Sequence, residues 1–264
     1  MSFFFPFSEF LSQNPEVATR QGELRQPWTV PLEVDDKGQG YRQGVTLRPG
    51  LHVLIDDYTL QEDMFVAVGK KGDRAPHLGL EVSYMLSAHN HLEKVPAQHN
   101  FLGAGWWEGF EEGLGLWRAG DRILKFDIHL NGTFSKSFLG DQLEVLPDSL
   151  SGIIQSSQPV QSHDCFWQVS STTPAMRLAI HQMLHCPYEG LTRWIYWESK
   201  VLELLALRLE EVKQSTSRVA EKSVLKPDDL ERIHHAREIL HQRLTNPPSL
   251  MELAGLVGLN DYKL

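Results

Sequence analysis

The amino-acid sequence predicts an α+β protein, with a mostly antiparallel β barrel or sandwich followed by helices. Between about Gly44 and Val169, apolar residues recur at every second position, which is the period of half-buried strands. From Thr173 onwards the apolar residues follow the helical period instead. With 264 residues, the chain is long enough to bury a normal core and to form more than one domain.

Three segments show the strand pattern most clearly: LHVLI at 51–55, LGLEVSYML at 78–86 and LKFDIHL at 124–130. Turn-forming residues separate such segments, including Arg48-Pro49-Gly50. Asn131-Gly132 is the dipeptide most typical of a two-residue hairpin, so it predicts a β-hairpin. Many short strands with turns of this kind favour a barrel or a sandwich.

Two helices are predicted after the strands. Thr173 precedes a first-turn proline and is expected to cap a helix that runs to about Leu184. A longer helix is predicted over 191–212, and it carries two apolar stripes. The first stripe contains Trp194, Trp197, Val201 and Leu204, and the second contains Ile195, Leu202, Leu205, Leu209 and Val212. The second stripe either completes the core or contacts a partner subunit, and we expect a dimer interface at Ile195, Leu202, Leu205 and Leu209.

The last part of the chain is predicted to be helical. Residues 213–226 are polar and are expected to form a linker. Ser249 is placed to cap a short helix that ends at Gly258. Ala254, followed four residues later by Gly258, has the spacing of a helix-turn-helix, because a small residue lets two helices cross closely and glycine permits the left-handed turn. Other helical hairpins share this spacing.

A resemblance to a known family covers residues 183–264. The segment LERIHHAREILHQRLTNPPSLMELAGLVGLNDYKL resembles the start of the AraC-type DNA-binding domain. Upstream, HCPYEGLTRWIYWESKVLELLALRLEE resembles the connecting region of the siderophore-responsive, pyochelin-regulator-like branch of that family. The resemblance implies a bacterial transcription regulator with a cupin-like sensor domain, operator DNA as partner, an iron-siderophore as effector and a homodimer.

The resemblance also implies a domain order. We expect an effector-sensing domain at 1–190, a connector and dimerisation helix at 191–212, a linker at 213–226 and an incomplete helix-turn-helix domain at 227–264. The chain is expected to end within the first helix-turn-helix. The implied DNA-binding positions are Ser249, Ala254, Gly258, Asn260, Tyr262 and Lys263.

Charge and cysteine content indicate the compartment. The net charge of −9 would repel DNA, but residues 222–264 contain six positive and six negative side chains, so the acidity lies upstream. Two cysteines, Cys165 and Cys186, suit a reducing compartment. No Lys or Arg precedes Arg20, so a secretory signal is not expected, and no apolar run is long enough to span a membrane. We expect a cytoplasmic protein without a membrane partner.

A glycine-rich and aromatic segment, GAGWWEGFEEGLGLWRAG, is the candidate ligand site. Its glycines would let backbone approach a ligand while aromatic rings stack on it. The predicted ligand-binding residues are Trp106, Trp107, Phe110 and Trp117. These aromatic rings could equally complete the core at a barrel corner.

Two histidine groups were weighed as metal sites. His89 and His91 with Glu93 lack the spacing of a cupin enzyme. His181, His185 and Cys186 could hold a metal only if Cys165 approached them, and most histidine pairs of this spacing bind nothing. We therefore expect no metal, no cofactor and no catalytic residues, and the sequence has no nucleophile or phosphate-loop motif. A cupin-like metal-dependent enzyme and a plain dimerisation or ligand-binding module remain the alternatives to a regulator.

Overall fold

The protein is described here by a computed structural model. The described residues are 2–5, 23–34, 37–67, 79–88, 95–105, 114–140, 143, 146–156, 165–222, 232, 235–237, 239–240, 243 and 247–258. Within them, the contacts divide the chain into two compact units, Met1–Lys213 and Gln214–Leu264. Each unit is described by itself.

The described residues of the first unit form ten strands. They are β1 (Ser2–Phe5), β2 (Trp28–Val34), β3 (Gly38–Arg48), β4 (Leu51–Leu60), β5 (Asp63–Ala67), β6 (Gly79–Ser87), β7 (His99–Gly105), β8 (Leu114–Trp117), β9 (Arg122–Asn131) and β10 (Cys165–Ser171). The helices of the described chain are α1 (Gly132–Leu139), α2 (Asp148–Gln155), α3 (Pro174–Leu184), α4 (Gly190–Lys222) and α5 (Leu250–Val257).

Two sheets form the β part. The larger has seven antiparallel strands in the order β10-β7-β6-β9-β4-β3-β2, and the smaller has three in the order β1-β5-β8. The hairpin between β3 and β4 turns at Gly50, whose φ of 85° suits glycine. The predicted α+β class with a large antiparallel sheet is confirmed.

The central strand β9 shows how the large sheet separates two environments. Alternate side chains of a strand point to opposite faces. Phe126, Ile128 and Leu130 belong to a core that also contains residues of the helices. Lys125 and Asp127 lie on the other face and are nevertheless buried. One face is therefore a conventional apolar core, whereas the other encloses charge.

The described helices of the first unit cover the apolar face, and α1 contributes the half-buried Phe134 and Leu139. Thr173 accepts a hydrogen bond from the Met176 backbone N–H and caps α3, as the sequence predicts. The buried residues that α2, α3 and α4 contribute to this core are Leu150, Ile153, Ile154, Met176, Ala179, Ile180, Met183, Trp197, Val201, Leu204, Leu205 and Val212. The first predicted stripe of α4 thus faces the sheet, although Trp194 is only half-buried.

A second, smaller apolar cluster lies on the opposite face, where the three-stranded sheet packs. Met64 of β5 and Trp117 of β8 lie in it with Tyr58, Phe101 and Ile123 of the large sheet. This packing closes one end of the opposite face, and the charged side chains lie next to it.

Two sequence expectations differ from the structure. Asn131 does not turn a hairpin: its side chain accepts a hydrogen bond from the Phe134 N–H and caps α1, because β9 pairs with β4 and β6 rather than with a following strand. Residues 213–222, expected in the linker, continue α4 to Lys222, since no glycine or proline interrupts them. None of the described helices is long and apolar enough to cross a membrane.

The second unit has a small core of its own, formed by Ala236, Leu253 and Val257. Ser249 caps α5 in a reciprocal arrangement with Glu252, and this bonding lowers the pKa of the Glu252 carboxyl. Gly258 ends the helix with φ 68° and ψ 31°, the left-handed conformation expected of it. The local geometry from Ser249 to Gly258 therefore agrees with the sequence analysis.

The packing of Trp28 on Gly44 gives a test of the sheet. A Cβ at Gly44 would overlap the Trp28 ring. The buried ring lies between paired strands and cannot move aside to make room for it. We expect Gly44→Ala to lower the free energy of unfolding by about 1–3 kcal/mol, measured by urea denaturation. In the control Gly152→Ala, on an open position of α2, the Cβ meets nothing within 4 Å, and a gain of about 0.5–1 kcal/mol is expected. Equal stability of the two variants would contradict this packing.

Candidate functional site

Charged and polar side chains form a continuous patch on the sheet face that is turned away from the helices, and we call this patch the polar face. Its strands β3, β4, β9 and β6 are neighbours in the sheet, so their side chains lie side by side. The members of the polar face are Arg42, Thr46, His52, Asp56, Glu81, Ser83, Lys125, Asp127 and His129.

Arg42 and Asp56 form a bidentate ion pair on this face. The Arg42 Nε and Nη2 atoms donate to the two Asp56 carboxylate oxygens over 2.5 and 2.6 Å. Burial by itself lowers the pKa of Arg42, but the charge and the hydrogen bonds of Asp56 outweigh it and raise the pKa above its ordinary value. The fork of the guanidinium fixes the carboxylate in one orientation.

Lys125 and Asp127 form a second ion pair beside the first. The Lys125 Nζ lies 3.0 Å from Asp127 Oδ2, and Ser83 Oγ donates to Asp127 Oδ1 over 2.5 Å. Burial raises the pKa of Asp127, yet Lys125, His129 and the hydrogen bonds together bring it below the ordinary value. Asp127 is therefore held ionised in a buried position.

Two histidines and a glutamate complete the patch. His52 and His129 are directly paired across β4 and β9, and the Thr46 hydroxyl lies 2.9 Å from His52 Nδ1. Burial lowers the pKa of His52, and the nearby His129 lowers it further, which keeps the His52 ring neutral at physiological pH. Glu81, opposite His129 on β6, is the most exposed charged group of this end, with 34% of its side chain accessible.

Tryptophans flank the patch on both sides. Trp28 lies over Gly44 at one side, and Trp167 lies over Gly103 at the other. Trp167 also stacks on Phe101 with 4.0 Å between ring centroids. Chemically, such a face offers hydrogen-bond donors and acceptors of both charges between two aromatic rings. That combination suits a polar ligand with aromatic parts.

Polar contacts attach the helix α4 to the sheet, and two of them are made by charged side chains of α4. Near its start, Glu198 pairs with Arg48 of β3 and lies 3.9 Å from Arg25. Further along, Arg208 Nη2 donates to the Gln168 backbone oxygen over 2.8 Å and to its side-chain oxygen over 3.1 Å. Arg208 therefore connects α4 to β10, the strand that carries Trp167 on its other side.

Arg208 is the largest fully buried side chain among the described residues. Its Nη1 lies 3.3 Å from Glu211 Oε2, while its Nε has no hydrogen-bond partner among those residues. Burial lowers the pKa of Arg208 and raises the pKa of Glu211, because both lose hydration. A buried charge destabilises the fold unless its hydrogen-bonding partners are held in place beside it.

Of the four aromatic residues predicted to bind a ligand, only Trp117 is among the described residues. Trp106, Trp107 and Phe110 lie outside the described residues. Trp117 is described, and it is buried at 8% exposure in the core between the two sheets. For Trp117 the structure agrees with the core alternative.

The predicted interface stripe of α4 is not uniform. Ile195 is 59% exposed, and Leu202 and Leu209 are half-buried. Leu205, by contrast, is 3% exposed and packs in the core of its own domain, because the helix turns this position towards the sheet. Leu205 is therefore not available to a partner, and Ile195, Leu202 and Leu209 remain the proposed contact residues.

Of the implied DNA-binding positions, Ser249, Ala254 and Gly258 are described, whereas Asn260, Tyr262 and Lys263 lie outside the described residues. Ser249 and Gly258 bound α5 at its two ends, and Ala254 is buried on its inner side. The Ser249 side chain is exposed, and its hydroxyl is engaged by Glu252 in the helix cap.

Among the described residues, the histidine groups considered from the sequence do not form a set of three metal ligands. The exposed His181 and His185 rings stack at 4.1 Å, and His185 Nδ1 contacts the His181 backbone oxygen. Cys186 is half-buried and free. The group His89, His91 and Glu93 lies outside the described residues, as does the side chain of Cys165.

The polar face is not among the sites predicted from the sequence. The available signal was the set of polar residues at alternate positions of LKFDIHL and LGLEVSYML, which is also the pattern of a solvated strand face. A cavity of about 10 Å³ between the sheet and α4, lined by Val53, Trp194 and Trp197, has room for one water molecule only. The polar face is therefore the better candidate for a ligand.

Two comparisons relate the chain to known proteins. A family model described as the regulatory protein PchR N-terminal domain matches residues 37–224. Regulatory protein PchR of Pseudomonas aeruginosa is 39% identical over 90 residues, which make up 34% of this chain and 30% of that protein. The aligned part thus spans less than a third of the relative's length. No solved structure matches the chain.

The attachment of α4 can be measured by removing its buried charge. We expect Arg208→Leu to lower the free energy of unfolding by about 1–3 kcal/mol, since the half-buried oxygens of Gln168 and Glu211 would lose their guanidinium donor. The control is Lys213→Leu, which breaks the exposed pair with Glu210 and should change stability by less than about 0.5 kcal/mol. Urea denaturation of both variants decides, and similar losses would show that Arg208 is not an anchor.

Proposed function

Because its residues 37–224 match that family, the chain belongs to the PchR N-terminal domains, and we propose that it is part of an AraC-type transcription regulator that senses a small effector. The proposal adds three functions to the family membership: effector binding, transmission to a DNA-binding unit, and dimerisation. A regulator of bacterial transcription acts in the cytoplasm, and we propose that location as well.

The polar face is the proposed effector site. The observation that carries this proposal is two neighbouring ion pairs between tryptophans: Arg42–Asp56, in which Asp56 is buried and Arg42 is half-buried, and Lys125–Asp127, which is buried. Charges enclosed in a protein cost desolvation energy, which apolar residues of similar volume would avoid. Contact with a polar ligand would offset part of this cost. By the family resemblance, that ligand is an iron-siderophore, with Trp106, Trp107 and Phe110 as further proposed contacts.

The helix α4 is the proposed transmitter. It contacts β10 through Arg208 and β3 through Glu198, and the chain of α4 continues beyond Lys213 to Lys222. An effector shifts an equilibrium only by its difference in affinity for the two states. An effector that moves β10 or β3 changes the geometry at the buried Arg208 and at Glu198, and this supplies such a difference.

DNA binding is proposed for the segment that begins with α5. The cap at Ser249, the small Ala254 and the left-handed Gly258 suit the first helix of a helix-turn-helix. Asn260, Tyr262 and Lys263 would then lie at the start of the recognition helix, where side chains enter the major groove.

Effector binding is tested by thermal denaturation of the chain with iron-loaded and iron-free siderophores. A ligand present at about 100 times its Kd should raise stability by about 2.7 kcal/mol. Trp167→Leu should weaken binding by about 1–3 kcal/mol if the ring stacks on the ligand. Leu178→Ala, at a 56% exposed position of α3, serves as the control and should bind normally. If no siderophore shifts the transition, or if both variants bind equally, the proposed site is incorrect.

Dimerisation is tested by sedimentation. Ile195→Glu should convert a dimer into a folded monomer, because a charge at the proposed contact would lose its water. Leu178→Glu, equally exposed but on α3, should remain a dimer. A wild-type chain that sediments as a monomer at high concentration would contradict the proposal.

A further inference from the structure

The two central strands of the polar face bring three metal-ligating side chains together. Glu81 of β6 is the register partner of His129 of β9, and Asp127 precedes His129 by two residues on the same face. Directly opposite residues of antiparallel strands have Cβ atoms about 4.5–5.5 Å apart. The ligating atoms of these three side chains all lie within 4.8 Å of one another. They come from rigid, paired strands rather than from loops.

We propose that Glu81, Asp127 and His129 bind a divalent first-row transition-metal ion. Imidazole nitrogen and carboxylate oxygen coordinate such ions at about 2.0–2.2 Å, so two ligands of one ion are separated by at most about 4.4 Å. Small rotations of the side chains bring the three atoms within that limit. One imidazole with two carboxylates suits zinc, iron(II), manganese or cobalt rather than a soft, thiol-seeking ion.

A fourth ligand position is adjacent. His52 is the register partner of His129 on the other side of β9. The contact of Thr46 Oγ1 with His52 involves Nδ1, so Nε2 is the nitrogen left to coordinate an ion. A hydrogen bond on the non-ligating nitrogen is the usual way in which proteins orient a histidine ligand. His52 or a water molecule would complete the coordination.

Lys125 makes the proposal distinguishable from a purely structural network. Its ammonium lies 3.0 Å from Asp127 and 4.0 Å from Glu81, where it balances the two carboxylates. A bound dication would take over that balance and repel the ammonium. Removal of the Lys125 charge should therefore strengthen metal binding. In a network that only stabilises the fold, the same change would bring no affinity for metal.

The inference goes beyond the proposed function, because it requires neither the effector nor DNA. The experiment is calorimetric titration of the metal-free full chain with Zn²⁺, repeated with Co²⁺ to detect histidine coordination by visible absorption. We expect one ion per chain, at least tenfold weaker binding in His129→Ala and tighter binding in Lys125→Met. His181→Ala, in the exposed α3 pair, should leave the affinity unchanged.

Near-ultraviolet circular dichroism verifies that each variant is folded. If His129→Ala does not fold, Glu81→Gln replaces it, since the Glu81 side chain is 34% exposed and tolerates an isosteric change. Absence of binding by the wild type, or loss of binding in His181→Ala alone, would overturn the proposal. If the wild type binds no Zn²⁺ but a siderophore still raises its stability, the metal site is wrong and the effector site stands.

Discussion

The alternation of side chains along β9 is the constraint on which the rest of the structure depends. Because successive residues of a strand point to opposite faces, Phe126, Ile128 and Leu130 must share one face, and Lys125, Asp127 and His129 the other. A slip of one residue in register would place the charges under the helices and the apolar side chains opposite them. The paired charges therefore fix the register as firmly as the apolar core does, since an unpaired buried charge is costly.

The same arrangement explains how the helical part is joined to the β part. The apolar core beneath α4 is non-directional and would allow the helix to slide or rotate with little change in buried area. The buried guanidinium of Arg208 contacts Gln168 and Glu211, and these directional contacts fix the position of the helix at this point. The pair between Glu198 and Arg48 fixes the position of the helix near its start. The helix thus has a defined position relative to β10 and β3. Regulation by an effector requires an element of this kind, with discrete arrangements.

Much of the fold is predictable from local patterns. Period-two segments give the strands, and caps at Thr173 and Ser249 give the starts of two helices. Asn131-Gly132 is different, because asparagine suits both a hairpin turn and a helix cap, and only the pairing of β9 with β4 and β6 decides between them. The extension of α4 was missed because a polar helix and a polar linker share the same composition.

The candidate site was less predictable, for a physical reason. Alternating polar residues indicate solvent on one side of a sheet. Whether that side is covered depends on how a second sheet packs on it, and here the second sheet is built from β1, β5 and β8, strands of four or five residues. Arg208 shows the same limit. On the sequence of α4 it lies among Glu and Leu residues like a solvated arginine, and its partner Gln168 is 40 residues away. The burial of a charge by residues distant in sequence is therefore hard to predict from the local sequence.

In the proposed mechanism, binding on the polar face changes the position of α4 through the sheet. Hydrogen exchange of the chain, with and without a saturating effector, measures this directly, because local opening is read residue by residue. We expect effector binding to change the exchange rates of amides in β9, in β10 and in α4 from Val201 to Val212 together. Altered exchange in the strands with no change in α4 would show that the helix does not sense the site, and would contradict the account.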